Sequence, residues 1–338
     1  MAATTQRSPV PAEALWTWKQ ADGSSLEVAW QCHGVPDRPE ETGQAPAIVL
    51  VHGFGASSNH WRHNLPVLGE HSRTYALDLI GFGASSQPQA LLPGERPASD
   101  HADGSEALTY SFDLWGLQVT DFCKAVVKGP VLLVGNSIGG VVALRAAQLL
   151  ERQCSGVVLI DCAQRLMDDK QLATQPAWMA WIRPLLKTLV SQRWLSTALF
   201  RNAARPSVIR SVLKQAYPSG DNVDDQLVEL LYKPTQRRGA AEAFRGFINL
   251  FDDHLAPELL KSMQQPVDLI WGQRDPWEPV AEAHNWAERF SCIKSLNVLP
   301  NAGHCPHDES PEKVNSFLIT ILKKYGSKPE RETEPSFS

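Results

Sequence analysis

A hydroxyl that attacks a carbonyl needs a base beside it, an acid to orient that base, and N–H groups to receive the oxyanion. The chain offers a candidate for each part. VLLVGNSIGGVVALRAA, residues 131–147, carries an apolar strand into Gly135 and opens a helix near Gly140. Ser137 stands between them in G-x-S-x-G spacing. A serine on so tight a strand-to-helix turn needs neighbours without side chains, and its hydroxyl then projects above the sheet. The helix start behind it favours developing negative charge. A glycine-bracketed turn capped by an ordinary serine is the bland alternative; the buried strand before it and the apolar helix after it weigh against that.

VHGFGAS, residues 51–57, follows a second apolar strand. Its His-Gly-aromatic-Gly loop is expected to aim a main-chain N–H at the nucleophile. The two oxyanion donors are therefore expected from the backbone of Phe54 and of Ile138, the residue after the serine. His52 reads as a structural histidine that holds this loop. DLIGFGASS, residues 78–86, reads as a packing turn on the same rim, because G-F-G lacks the third glycine and the helix of a phosphate cradle.

In this arrangement the chain order is serine, acid, histidine. Of ten histidines, His254, His284, His304 and His307 lie beyond Ser137. VLPNAGHCPHDESPEKV places His304 in a short loop between a strand and a helix, within expected hydrogen-bonding reach of the Ser137 hydroxyl. His307 is expected in an exposed or capping role, and His284 on a helix surface. LIWGQRDPWEP offers Asp275 as the orienting acid; Asp161, at the end of VVLIDC, is its rival and Glu278 a weaker third. No H-E-x-x-H, paired Cys/His spacing or G-x-G-x-x-G is present, so neither a metal nor a cofactor is expected.

Strands are expected at 26–31, 47–52, 74–79, 131–135, 157–161, 267–271 and 295–299, with helices at 112–127, 140–153, 280–290 and 311–325. Alternation of this kind predicts an α/β fold, a mostly parallel sheet flanked by helices on both faces. The core is expected to comprise 15–162 and 266–325. Two segments interrupt it. Residues 87–107, QPQALLPGERPASDHADGSEA, read as an exposed, disordered loop, and residues 163–265 carry only helical periodicity, as a helical lid over the strand ends would. The tail 326–338 reads as disordered.

From Arg165 to Lys214 there are nine Lys or Arg against two acids. Trp178, Trp181, Ile182, Leu185, Leu186 and Leu189 recur there at helical spacing. Two uses of this stripe stay open: packing the lid onto the core, or forming a greasy pocket with a basic face that rests on an anionic membrane.

With 338 residues and a formal charge of −5, the chain lacks the basic balance of a nucleic-acid binder. Its six cysteines show no paired spacing, which fits a reducing compartment, with Cys123, Cys154 and Cys162 as buried apolar filler. The start lacks the apolar run of a secretory signal, and it is short for a plastid transit segment. No apolar stretch is long enough to span a bilayer. A cytoplasmic protein, peripheral at most to a membrane, is expected.

The assembled motifs resemble the α/β-hydrolase superfamily over about residues 26–325. Within it, HGFGASSNHWRHNLPVL, ALDLIGFGASS, YSFDLWGLQVTDF, GNSIGG and AGHCPHDESPEKVNSF look like the chlorophyll dephytylase and pheophytinase group. The resemblance implies cleavage of the phytyl ester of chlorophyll or pheophytin, with Ser137, His304 and Asp275 in the catalytic roles. The partner implied is an apolar small-molecule ester. A general carboxylesterase or lipase, and a hydrolase-like ligand receptor, are the alternatives. Haloalkane dehalogenases and epoxide hydrolases share the fold but use an aspartate nucleophile, so the serine speaks against them.

Overall fold

The computed structural model describes residues 14–34, 45–96, 107–165, 168–174 and 177–326, with the main chain alone at 172–174 and 177–181. Ten strands follow in order: β1 (Ala14–Lys19), β2 (Ser25–His33), β3 (Ala47–Val51), β4 (Thr74–Leu77), β5 (Gln89–Ala90), β6 (Ala107–Leu108), β7 (Val131–Asn136), β8 (Cys154–Ile160), β9 (Val267–Gly272) and β10 (Ile293–Leu299). Eight form one sheet in the order β1-β2-β4-β3-β7-β8-β9-β10. The β1–β2 and β2–β4 pairs are antiparallel and every later pair is parallel.

Period-two alternation sorts the central strands onto two faces. Ile48, Leu50, Leu132, Val134, Val158 and Ile160 point into one apolar cluster, and Val49, Val51, Leu133, Val157 and Leu159 into the other. With no face left wet, these strands are apolar end to end, which made them readable as buried parallel strands. Twelve helices are present among the described residues: α1 (Leu65–Gly69), α2 (Phe112–Phe122), α3 (Ile138–Leu150), α4 (Ala177–Ser191), α5 (Arg193–Ala203), α6 (Pro206–Ala216), α7 (Asp225–Thr235), α8 (Ala240–Ile248), α9 (Ala256–Lys261), α10 (Val280–Arg289), α11 (Pro306–Glu309) and α12 (Pro311–Gly326). Leu65, Leu68, Val314 and Leu318 from α1 and α12 cover one face; Trp115, Val141, Leu259 and Trp286 from α2, α3, α9 and α10 cover the other.

Three differences from the sequence reading have local causes. Strand β1 lies outside the expected strands because it is an antiparallel edge with one wet face: Trp18 is buried in the core and Trp16 packs on Phe122, while Leu15, Thr17 and Lys19 alternate with them toward solvent. The helix expected over 112–127 stops at Phe122 and passes into a π-turn, Cys123–Val127, closed by Lys128 in the left-handed region (φ 58°). The expected open loop at 87–107 is instead anchored at its ends: β5 pairs with β6, Ala90 is fully buried, and the buried Arg245 donates to the Ala90 carbonyl (3.0 Å) and to Glu95 (3.0 Å). Residues 97–106, like the tail from 327 onward, lie outside the described residues.

Between β8 and β9 the chain forms α4 to α9 and a 3-10 segment, Asp169–Thr174. The last of these helices packs against α3, with Gln148 donating to the Ser262 hydroxyl (2.9 Å).

Candidate active site

The parallel strands all end at one rim, where loops converge because each strand runs the same way. Ser137 caps β7 with φ 54° and ψ −123°, a conformation that costs a non-glycine residue about 1–3 kcal/mol. Its amide donates to the Ile160 carbonyl (2.9 Å) and its carbonyl accepts from Gly140 and Ala163, so the turn is fixed from both sides. The flanking glycines are required by close approach. A Cβ at Gly135 would lie 2.1 Å from the Gly139 carbonyl oxygen, and one at Gly139 would lie 2.4 Å from that of Val51.

The 52–56 loop is pressed onto the same turn: a Cβ on Gly53 would meet the Ser137 Cβ at 3.2 Å. His52 is buried, its Nδ1 on the Gly53 carbonyl (2.8 Å) while its Nε2 accepts from the Leu79 amide (3.0 Å). Both ring nitrogens hold the loop, and burial pushes its pKa down, so His52 is a neutral strut. Asp78 accepts from the amides of Ser58 (2.6 Å) and Ala84 (2.7 Å), which makes the 78–86 turn a packing feature of the rim. Among the described residues, the N–H groups of Phe54 and Ile138 donate to no protein acceptor.

Across the rim, His304 Nδ1 lies 2.7 Å from Asp275 Oδ2. The other Asp275 oxygen accepts from the amides of Trp277 (2.8 Å) and Glu278 (3.1 Å), and its side chain is fully buried. Burial works to raise the Asp275 pKa, but the His304 and amide bonds outweigh it and hold the carboxyl below its ordinary value. The edge of Trp277 closes over the imidazole at 4.8 Å. The Ser137 hydroxyl makes no hydrogen bond to the described residues; the serine turn and the histidine loop are joined instead by Asn136, whose amide donates to the carbonyls of His304 (3.0 Å) and Ile160 (3.2 Å). Bonds of this kind commonly tighten only when substrate is bound.

The rival acids do other work. Asp161 is wholly buried; one oxygen accepts from the Gly272 amide (2.9 Å), and the other has no partner as an acceptor. Burial first, then the Asp275 charge, pushes its pKa well above the carboxylate range. The contact between the two carboxyls adds to the rise at Asp161 and to the fall at Asp275, so the pair favours a proton on Asp161 and a charge on Asp275. Glu278 accepts from the Gln164 amide (2.8 Å), and burial raises its pKa to about 8.

His307 differs from its expected exposed or capping role. It is fully buried between Trp61 (4.3 Å) and His60 (4.7 Å), and burial, then the neighbouring histidines, hold it neutral. The cause is Asp308 next to it, which pairs with Arg62 (2.9 Å) and accepts from Tyr217 (3.0 Å), drawing α11 into the core. Asn136 and Trp277 were also missed. The only sequence sign of Asn136 was an amide at the end of an otherwise apolar strand.

An apolar cavity of about 250 Å³ lies between the 54–56 loop, the 81–87 turn and α5 to α8, lined by Phe54, Phe82, Phe200, Leu213, Leu231 and Phe244. Ser137, His304 and Asp275 are not among its walls; Phe54 is the shared element, stacked on Phe247 at 4.0 Å. All six cysteines are free, and among the described residues no cluster of ligands could hold a metal ion.

The profile of the Alpha/beta hydrolase family matches residues 48–317. The chain is similar to the chloroplastic pheophytinase of Arabidopsis thaliana, 26% identical over 310 residues, covering 82% of this chain and 61% of that protein. It thus spans about three fifths of that relative's length. It is also similar to the 2-hydroxy-6-oxo-6-(2'-aminophenyl)hexa-2,4-dienoic acid hydrolase of Metapseudomonas resinovorans, 23% identical and covering 90% of this chain and 94% of that one. Among solved structures, a thermophilic esterase from Thermogutta terrifontis superposes with a TM-score of 0.64 at 21% identity, over 94% of this chain and 100% of that one, a likeness of fold. With the sheet order, the loops at its rim and this match in hand, the chain belongs to the alpha/beta hydrolase family.

Proposed function

We propose that the protein hydrolyses a carboxylic ester of an apolar substrate through an acyl-enzyme on Ser137, and that the substrate is the phytyl ester of a chlorophyll-type pigment. What supports the chemistry most is the His304–Asp275 bond, tied to the strained Ser137 turn through Asn136. Asp275 on Nδ1 fixes the imidazole tautomer that leaves Nε2 free to take the Ser137 proton. The hydroxyl oxygen adds to the ester carbon, and the oxyanion is received by the Phe54 and Ile138 amides. His304 returns the proton to the departing alcohol. Water, deprotonated by His304, then releases the acid and restores the serine. For a phytyl ester the alcohol is phytol and the pigment carboxyl is the acyl part. The pheophytinase likeness and the aromatic cavity beside Phe54 support this choice.

A second reading, a general carboxylesterase, has its own observation: the cavity, at about 250 Å³, falls just below the usual range of ligand pockets, about 300–1,000 Å³, and suits a shorter chain. Incubation with pheophytin a and chlorophyll a, followed by chromatography for free phytol, separates the two. Phytol release that disappears in Ser137→Ala supports the pigment ester. Fast turnover of short acyl esters without phytol leaves the carboxylesterase. A wild-type chain that a fluorophosphonate probe fails to label would end both.

A further inference from the structure

Helix α4 is inside out. Its two cations point inward: Arg183, 4% exposed, pairs with Asp169 (2.8 Å) and lies over the Phe251 ring (5.7 Å), while Lys187 pairs with the same aspartate. Its aliphatic stripe points outward. Ile182, Leu185, Leu186 and Leu189, at i, i+3, i+4 and i+7, are 40%, 60%, 37% and 40% exposed. An amphipathic helix ordinarily buries that stripe against its own core. Only Gln192 separates α4 from α5, and on α5 Trp194 is 70% exposed. Ala198 and Arg201 share its exposed face at i+4 and i+7.

Charge identifies what covers this surface. Between Asp169 and Asp221 the chain has no acid at all, yet it carries eight Lys or Arg, in a protein whose net charge is −5. Arg201, Arg205 and Lys214 are exposed and form no ion pair among the described residues. A second copy docked face to face would place one set of these exposed cations, Arg201, Arg205 and Lys214, against another. A bilayer carrying anionic headgroups answers both features, since it accepts apolar side chains to a depth of about 5–10 Å and neutralises the cations beside them. An exposed tryptophan next to basic residues suits that boundary, where one end of the ring is apolar and the other wet. Among the described residues no helix is long and apolar enough to cross the membrane, so contact is in the interface plane.

We propose that the outward face of α4 and α5 is a docking surface for an anionic lipid bilayer. Contact there would hold the enzyme where an apolar ester is dissolved, a role separate from the ester chemistry and readable without it.

The test is sedimentation of the full chain with vesicles of phosphatidylcholine, with and without phosphatidylglycerol. Binding is expected on the phosphatidylglycerol vesicles and is expected to weaken as salt is raised. Leu185→Ser with Trp194→Ser lowers the partition coefficient by about a hundredfold. Arg201→Gln with Arg205→Gln lowers it by about fivefold per charge, on anionic vesicles only. Hydrolysis of a soluble short-chain ester is expected to stay at the wild-type rate in both variants, which also reports that they fold. A probe independent of those variants is quenching by lipids brominated in their acyl chains, expected to be smaller in Trp194→Phe. Failure of the wild type to bind phosphatidylglycerol vesicles overturns the proposal, as does equal quenching in Trp194→Phe. A lipid-free dimer that the Leu185 and Trp194 changes dissociate would overturn it too, by giving the face to a second copy.

Discussion

The rim of the sheet and the outer face of the helical insertion treat apolar and charged groups in opposite ways. At the rim, ionisable groups are buried and answered one by one: Asp275 by His304 and two amides, Asp161 by Gly272 and Asp275, Asp78 by two loop amides. On α4 the cations turn inward and the leucines face out, and on α5 a tryptophan faces out beside the exposed Arg201. The contrast separates two kinds of constraint. Rim residues are fixed by contacts on every side, so a small change there disturbs both fold and chemistry. The outer face of α4 is held by a few inward ion pairs, and its outward residues are free of the core.

The largest effect should come from two aspartates on neighbouring strand ends. Asp275→Asn removes the charge that orients His304 and is expected to lower kcat for a soluble ester by about 10⁴-fold. Asp161→Asn keeps a neutral donor toward Asp275 and an acceptor for the Gly272 amide, so its loss is expected to stay within about tenfold. Equal losses in steady-state kinetics would mean that the ionised acid has been misassigned between the two.

Legibility followed the same division. The central strands declared themselves because both faces are covered, which leaves only apolar residues in a strand such as AIVLV. Ser137, Gly135 and Gly139 were legible because close backbone approach admits no other spacing, whereas chain order left Asp161 and Glu278 open beside Asp275, and the bond to His304 is visible only in the fold. His307 was misjudged because its burial depends on Asp308, Arg62 and Tyr217, which are distant in sequence. The stripe on α4 was legible as a stripe, but nothing in its period told which way it faced. That depends on where Asp169 receives Arg183 and Lys187. The side chains of Trp178 and Trp181, part of the same expected stripe, lie outside the described residues.

Next in size is Gly139→Ala. The added Cβ meets the carbonyl oxygens of Val51 and His52 at 2.4 and 2.6 Å, so the main chain itself must move. A loss of about 3 kcal/mol is expected from the denaturation midpoint. A smaller effect should appear at Glu278. Its ordinary pKa is 4.5 and its folded value about 8, so between those values the folded chain binds the extra proton. Stability therefore falls as pH rises through that window. Glu278→Gln should flatten the fall, stabilising the protein at pH 8.5 by on the order of 2 kcal/mol relative to wild type and far less at pH 4.5. Parallel denaturation curves for the two proteins at both pH values would place the titrating group elsewhere.

The smallest effects sharpen the contrast most, because they invert the usual expectation for a helix. In an ordinary amphipathic helix, leucine to serine on the apolar stripe is costly and arginine to leucine on the polar face is mild. On α4 the order should reverse. Leu185 is 60% exposed, so Leu185→Ser forfeits little burial and is expected to change stability by less than about 0.5 kcal/mol. Arg183 is buried against Phe251 and bonded to Asp169, so Arg183→Leu loses a stacked guanidinium and half of the Asp169 pairing. Lys187 remains to hold that aspartate, which is a third exposed, and this limits the expected cost to about 1–2 kcal/mol. Chemical denaturation of the two variants side by side reads the order directly. If Leu185→Ser proves the more damaging, the stripe is packed against the protein in solution, and α4 faces the opposite way.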